Sequence, residues 1–365
     1  MGSSNGKIKK NFNLVDLFCG AGGLTLGFEQ TKRFNTVFAN DIDKDMCSAY
    51  SFNFPETEIS SEAISNVNFD EIAEKQNIDV VVGGPPCQAY STSGKRSNND
   101  NRSKLFLEYF NSIKSLKPQI FLYENVKGLI SFSKGSVFKE IKELFSSIDY
   151  DLSFHLINAA DYGVPQIRER IFLFGIRRGI NYFFPKKTHT NQLNNKYITV
   201  EDALSDLPRI ENNSSSTDYL SMPKTNYQKL MRKKAPKFLM DHNSSKHGKN
   251  LTNAMKYLPE GGIKIDIPSR FRPKSGYPNS YGRLWWKKPS TTITRNFGTP
   301  SSARCIHPKV NRALTTREGA RLQSFPDWFQ FYGSRAKKNL QIGNAVPPIL
   351  SKKIGHSIIN SLDDL

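Results

Sequence analysis

The chain has 365 residues, 37% hydrophobic and 23% charged, with a formal net charge of +19. That length can bury a large core and suits two domains, while no apolar run nears the roughly 18 residues that span a bilayer, which argues against a membrane protein. Residues 1–10 have no apolar signal-peptide core, so a cytoplasmic protein is expected.

In chain order, Asn13 to Phe18 reads as a strand, Gly20-Ala21-Gly22-Gly23 as a turn, and Leu24 to Thr31 as the start of a helix. Thr36 to Ala39 and Val80 to Val82 are apolar, β-branched runs of strand length. Leu105 to Leu116 has the spacing of an amphipathic helix, Gln119 to Tyr123 is a strand, and Val137 to Ser146 is helical by spacing. Ser153 to Asn158 and Arg170 to Ile176 read as further strands. Strands alternating with helices imply a mostly parallel sheet covered on both faces. After Pro185 the periodicity weakens, and Asn, Ser, Lys and Pro dominate. Order returns near Arg312, with a helix from Thr316 to Gln323 capped by Thr316 and an apolar helix from Pro348 to Leu362. The expected division is therefore 11–184, 185–311 and 312–365.

The charge is unevenly spread. Residues 185–311 carry 23 Lys and Arg against 8 Asp and Glu, a net of +15 out of the total of +19. Such asymmetry suggests a polyanion met mainly by that segment; a merely solubilising surface is the plainer alternative. The four cysteines, Cys19, Cys47, Cys87 and Cys305, stand far apart with no CxxC pair or His cluster beside them. Neither a metal site nor a disulfide framework is expected.

Five stretches carry chemistry. Pro86-Cys87-Gln88 follows the Val80–Val82 strand through Gly83, Gly84 and Pro85, so Cys87 sits in a stiff turn at a strand's carboxyl end, where open α/β sheets bind ligands. It is a candidate nucleophile, though a lone cysteine is also a common small core residue. Asp16 to Leu24 runs from a strand into a glycine turn, but G-x-G-x-x-G is incomplete because Thr25 follows. Asp41, at the end of the second strand, is placed to accept ribose hydroxyls, and Asp43 reads as a helix N-cap. The turn and this acid suggest an adenosine-bearing cofactor, S-adenosyl-methionine rather than NAD. Glu124 ends the Gln119 strand and would lie beside Cys87 if the two strands are neighbours; a solvated loop acid is the other reading. Gln166, Arg168 and Arg170 would share one side of a strand, suited to a carbonyl or phosphate, or Glu169 would pair with them at the surface.

With these residues in this order the chain resembles a cytosine-5 DNA methyltransferase of the bacterial restriction–modification type. The motifs are Phe18-Cys19-Gly20-Ala21-Gly22-Gly23, Pro86-Cys87-Gln88, Glu124-Asn125-Val126, Gln166-x-Arg168-x-Arg170, Arg317-Glu318 with Arg321-Leu322-Gln323-Ser324-Phe325-Pro326, and Gly343-Asn344-Ala345-Val346-Pro347. The resemblance implies a Rossmann-like α/β sheet binding S-adenosyl-methionine, with S-adenosyl-homocysteine as product and no metal. A smaller irregular target-recognition domain at 185–311 and a C-terminal return that completes the cofactor site are also implied. It assigns catalysis to Cys87, Glu124, Arg168 and Arg170. The cofactor would be held by Phe18, Gly20, Gly23, Asp41, Ile42, Ile64, Pro86, Leu105, Asn344 and Ala345. Where the family often has an acid before the isoleucine after the third strand, this chain has Ala63, with Glu62 the nearest substitute. Ser91 to Lys104 resembles the loop that closes over a flipped base. Contacts to double-stranded DNA are expected from Gln88, Ser91, Arg102, Arg270, Arg272, Arg283, Arg295 and Arg304, with Trp285 and Trp286 as readers or core residues. A monomer is implied, with a cognate restriction endonuclease acting on the same site. The alternatives are an RNA cytosine-5 methyltransferase, against which the long basic segment argues, and a catalytically silent DNA-binding regulator.

Overall fold

The first strand, β1 (Phe12–Leu17), is apolar on both faces, which marks a strand in the middle of a covered sheet. In the computed structural model, which describes residues 10–86, 105–190, 196–276 and 280–365, it is an interior strand, third in a sheet of seven. The others are β2 (Phe34–Asn40), β3 (Glu58–Ser60), β4 (Val80–Gly83), β5 (Ile120–Val126), β6 (Tyr150–Asn158) and β7 (Glu169–Arg177). Their order is β3-β2-β1-β4-β5-β7-β6. The pairs among β1 to β5 are parallel; β7 runs antiparallel to both β5 and β6. The expected mostly parallel sheet is present, and this reversed strand is the feature the β/α alternation did not foretell.

Alternate strand residues feed two cores. Val15, Leu17, Val81, Phe121, Tyr123 and Leu173 face one side, against α3 (Phe69–Lys75), α4 (Leu105–Leu116) and α5 (Ser136–Ser146). Leu14, Val80, Val82, Leu122, Phe172 and Phe174 face the other, against α1 (Gly23–Glu29) and α11 (Pro348–Asp363). At about 1.5–3 kcal/mol for each fully buried Val, Leu, Ile or Phe, these two layers dominate the stability of the sheet. α11 packs along α1 so closely that a Cβ on Gly27 would stand 2.5 Å from the Pro348 carbonyl oxygen. Arg33, just before β2, clamps the far end of α11 by donating to both carboxylate oxygens of Asp363 at 2.9 and 2.6 Å.

The basic segment holds three short helices, α6 (Val200–Leu204), α7 (Asn226–Met231) and α8 (Lys249–Lys256). Much of it shares a core with the C-terminal residues: Val200, Leu204, Met231, Trp286 and Ile293 pack with Ala320, Leu322, Phe325 and Ile342. A separate small cluster, Ala254, Met255, Leu258, Ile267, Tyr281 and Ile306, organises the outer part. Trp286 is 5% exposed and belongs to the shared core. α9 (Thr316–Leu322) is capped one residue earlier than expected: Thr315 accepts from the Glu318 amide and the Glu318 side chain accepts from the Thr315 amide, a closed capping box. α2 (Lys44–Asn53) and α10 (Arg335–Asn344) complete the helices that border the sheet's carboxyl edge. Among the described residues no helix is long and apolar enough to cross a membrane.

Candidate active site

β4 and β5 are paired neighbours, with Gly83 opposite Tyr123, so the turn leaving β4 rises beside Glu124. Gly84 lets the turn pass close to the carboxylate: an added Cβ would stand 3.0 Å from Glu124 Oε2. Asn125 then fastens the turn: its Nδ2 donates to the Pro85 carbonyl at 3.2 Å and to the Tyr123 hydroxyl at 3.2 Å, and its Oδ1 accepts the Val126 amide at 2.8 Å. Sequence reasoning missed Asn125 as a functional residue, although its place inside Glu124-Asn125-Val126 marked it. Pro86 is exposed at the end of the described turn. Cys87, Gln88, Ser91, Arg102 and the expected closing loop lie outside the described residues.

Glu124 is 9% exposed, and Arg170 reaches it with Nε 3.3 Å from Oε1. Burial raises the Glu124 pKa above the ordinary carboxylate value, and Arg170 and then Arg168 pull it back. Burial likewise lowers the Arg170 pKa, against the carboxylate's pull. The three residues of Gln166-x-Arg168-x-Arg170 do not share one strand face as expected, because β7 begins only at Glu169. Arg168 is 2% exposed and turns away into the protein, donating to the carbonyls of Ile293 at 3.2 Å and Gly343 at 3.0 Å. Gln166 is fully buried: its Oε1 accepts the Ile293 amide at 2.7 Å and its amide group donates to Gln323 Oε1. Gln323 in turn donates to the carbonyls of Ile342 at 2.8 Å and Ala345 at 2.9 Å. Arg168 and Gln166 thus tie the catalytic edge to the basic segment and to the end of α10.

The glycine turn lies at the same edge. Phe18 takes a left-handed φ of 55°, followed by Gly20 at 55° and Gly22 at 93°. Above Gly20 the space is open, an added Cβ meeting only Met46 Sδ at 4.0 Å. Asp41 binds the Gly20 amide through Oδ2 and the Asp43 amide through Oδ1, both at 2.9 Å, and its pKa is raised by burial. Asp43 caps α2, as expected, by accepting from the Asp45 and Met46 amides. Asp16 is fully buried below the turn and accepts from Thr25 at 2.7 Å; burial pushes its pKa up to about 7. Ile42 is 70% exposed, an apolar side chain left in the open beside the turn. Ile64 is buried, Leu105 half-buried, and Glu62 exposed with its carbonyl held by Asn40 at 3.0 Å. From the C-terminus, Asn344 is exposed, and Ala345 and Val346 lie so near α1 that a Cβ on Gly23 would stand 2.5 Å from the Val346 carbonyl. An open glycine cradle, an adjacent carboxylate and an exposed apolar side chain fit an adenosyl group with its ribose.

Of the arginines expected to touch DNA, the structure corrects Arg283. It is 5% exposed and spends its guanidinium on the carbonyls of Leu258, His307, Val310 and Met255 and on Asn311 Oδ1, at 2.6 to 3.0 Å. It holds the small outer core together, because burying a charged group demands such partners. Arg304 donates to the carbonyls of Gly261, Gly262 and Arg283 and stacks on Trp285, 4.5 Å from the ring centroid. Arg272 is exposed but bound to the carbonyls of Ile265 and Ile267. Arg270 is exposed over the Phe271 ring at 4.6 Å, and Arg295 is exposed. The charged residues of the Arg317-Glu318…Arg321 motif are structural. Arg312 forks onto Glu318 at 2.8 and 2.9 Å, and Arg321 bridges Asp206 and Asp327, all nearly inaccessible.

Residues 12–360 match the C-5 cytosine-specific DNA methylase family. The type II methyltransferase M1.HphI of Haemophilus parahaemolyticus is 34% identical over 351 residues, covering 94% of this chain and 86% of that protein. M.XorII of Xanthomonas oryzae is 35% identical over 374 residues, covering 95% and 84%. Among solved structures, a putative DNA modification methyltransferase encoded within an Escherichia coli prophage superposes with a TM-score of 0.78 at 28% identity, covering 97% of this chain and all of that one. Spodoptera frugiperda DNMT2 shares the fold at a TM-score of 0.64 and 16% identity, covering 95% of this chain and 99% of that one. The chain belongs to the C-5 cytosine-specific DNA methylase family and is a DNA cytosine-5 methyltransferase.

Proposed function

We propose that the protein methylates carbon 5 of a cytosine flipped out of duplex DNA, through a covalent adduct with Cys87, as the modification half of a type II restriction–modification system. The observation that carries this reading is the meeting of Glu124, Arg170 and the Asn125-fastened Pro85–Pro86 turn at one sheet edge, beside the glycine cradle. The reacting atoms of a stacked cytosine are out of reach of side chains, so the base has to leave the helix.

Carbon 5 of cytosine is a poor nucleophile, and a covalent route addresses that. The Cys87 sulfur bonds to carbon 6, and the electron pair of the 5,6 double bond makes carbon 5 nucleophilic. Glu124, whose pKa is raised by burial, hydrogen-bonds ring nitrogen 3 and the exocyclic amine, so negative charge does not accumulate on the ring. Arg170 faces the base carbonyl oxygen and favours the thiolate, while Arg168 sits behind the pair and fixes the seam. The glycine turn would hold S-adenosyl-methionine, which when bound would supply the methyl group to carbon 5 and leave as S-adenosyl-homocysteine. Carbon 5 then loses its proton to water and the carbon 6–sulfur bond breaks, releasing the product and the thiolate.

Phe18, Gly20 and Gly23 would cradle the cofactor, Asp41 its ribose, and Ile42 and Ile64 its adenine, with Pro86, Leu105, Asn344 and Ala345 closing the pocket. The basic segment 185–311 would act as the recognition unit on duplex DNA, and 312–365 as the return that completes the cofactor site. Methyl transfer from labelled cofactor to duplex DNA, compared with tRNA, tests the reading: incorporation into DNA supports it, and incorporation into tRNA alone overturns it.

A further inference from the structure

We propose that Arg295 reads a guanine in the DNA sequence this enzyme modifies. The proposal rests on the DNA methyltransferase reading above and assigns its specificity to one turn.

Residues 294–296 form a short turn pinned at both ends. On one side the Ile293 amide is bound by Gln166 and its carbonyl by Arg168. On the other, Phe297 is 1% exposed and its amide closes back onto the Thr294 carbonyl at 3.1 Å. Its ring fills the space left by Gly319, where a Cβ would stand 2.2 Å from the ring. The Thr299 amide donates to the Asn296 carbonyl at 2.9 Å, which tightens the exit. The turn also abuts the last turn of α10, since a Cβ on Gly343 would stand 2.3 Å from the Arg295 nitrogen. Arg168 binds the Gly343 carbonyl as well, so the arginine lying behind Glu124 and Arg170 grips both sides of this seam.

From that rigid backbone Thr294, Arg295 and Asn296 all project as exposed polar side chains. Each of the other six arginines in 185–311 has a partner. Arg283, Arg304 and Arg272 hold carbonyls, Arg232 holds Asp206, and Arg209 and Arg270 lie over the rings of Trp286 and Phe271. Arg295 is the one arginine of the segment whose guanidinium has no hydrogen bond, ion pair or ring contact among the described residues. A planar fork of donors on a fixed backbone, in a segment whose other positive charge is mostly lysine, matches the N7 and O6 acceptors of guanine in the major groove. Pre-ordering of the turn reduces the entropy lost when it docks.

The test expresses wild type, Arg295→Ala and Arg295→Lys in a host free of cytosine methylation and maps every methylated position in its DNA. The expected result is a wild-type motif containing a guanine that both variants cease to require, discrimination there falling about 10-fold or more. Arg295→Lys keeps the charge but not the fork, so it decides the matter if Arg295→Ala is inactive. Variants that keep the full wild-type motif, at a uniformly lower rate, would make Arg295 a phosphate contact and overturn the proposal. A wild type that marks no DNA cytosine overturns the methyltransferase reading and this inference with it.

Discussion

Arg170 holds its Nε 3.3 Å from Glu124 Oε1 across the antiparallel pairing of β5 and β7. The reversed strand is what makes this possible: it brings the start of β7 to the carboxyl end of β5, where a parallel strand would have brought its own carboxyl end. The carboxylate is therefore both buried and paired, and the two effects oppose each other, with burial the larger.

A folded Glu124 that holds its proton more tightly than the unfolded chain contributes stability present below the ordinary value of 4.5 and lost as pH rises through the folded value. Glu124→Gln removes that loss. Thermal melts should show a difference, variant minus wild type, that grows more positive from acid towards neutral pH, and a difference that shrinks would contradict the burial argument. Methyl transfer by Glu124→Gln should fall by about 100-fold or more, the scale of a lost general acid.

Asn125→Ala should leave the buried Pro85 carbonyl without its donor, at a cost of about 1–3 kcal/mol in stability. With the turn loosened, single-turnover methyl transfer should slow by about 10-fold or more, as misplaced reacting groups do. Cofactor affinity, measured by titration, should fall less than the methyl-transfer rate, because the turn that Asn125 fastens meets the cofactor only through Pro86 and Asn125 does not touch the glycine cradle. Equal losses in both would make Asn125 a general structural residue.

Ile42→Asp places a charge where an apolar side chain is 70% exposed. The melting temperature should hardly move, surface changes being worth within about 0.5 kcal/mol. Calorimetric affinity for S-adenosyl-methionine or S-adenosyl-homocysteine should drop about 10-fold or more. Unchanged affinity would remove Ile42 from the cofactor site.

Arg283→Met leaves four carbonyls of the outer core without their shared donor and should destabilise the protein by about 3 kcal/mol or more. Arg295→Ala should leave the melting temperature unchanged. A stable Arg283→Met that merely binds DNA less well would restore Arg283 to the role the sequence suggested.

The strands and the long amphipathic helices were legible because their apolar residues repeat with periods of 2 and 3.6, and the strand-end acids Asp41 and Glu124 stand where a sheet edge binds ligands. Three things were not. The antiparallel β6–β7 pair looks in sequence like any further strand, since alternation carries no direction. Arg283 and Arg168 read as ligand-facing charges, because only the fold brings the carbonyls of 255–310, or of Ile293 and Gly343, to them. The short elements β3, α2, α3 and α6 to α8 are too brief or too polar to stand out by pattern.

A duplex carrying 5-fluorocytosine at the target tests the bond between Cys87 and carbon 6 directly. Fluorine cannot leave carbon 5 as a proton does, so the reaction should halt after methyl transfer with enzyme and DNA joined. Wild type with S-adenosyl-methionine should give a denaturant-stable protein–DNA adduct, mapped by mass spectrometry to Cys87, and Cys87→Ala should give none while still binding DNA. An adduct of equal yield with Cys87→Ala, or methylation by wild type with no adduct on the fluorinated duplex, would contradict the account.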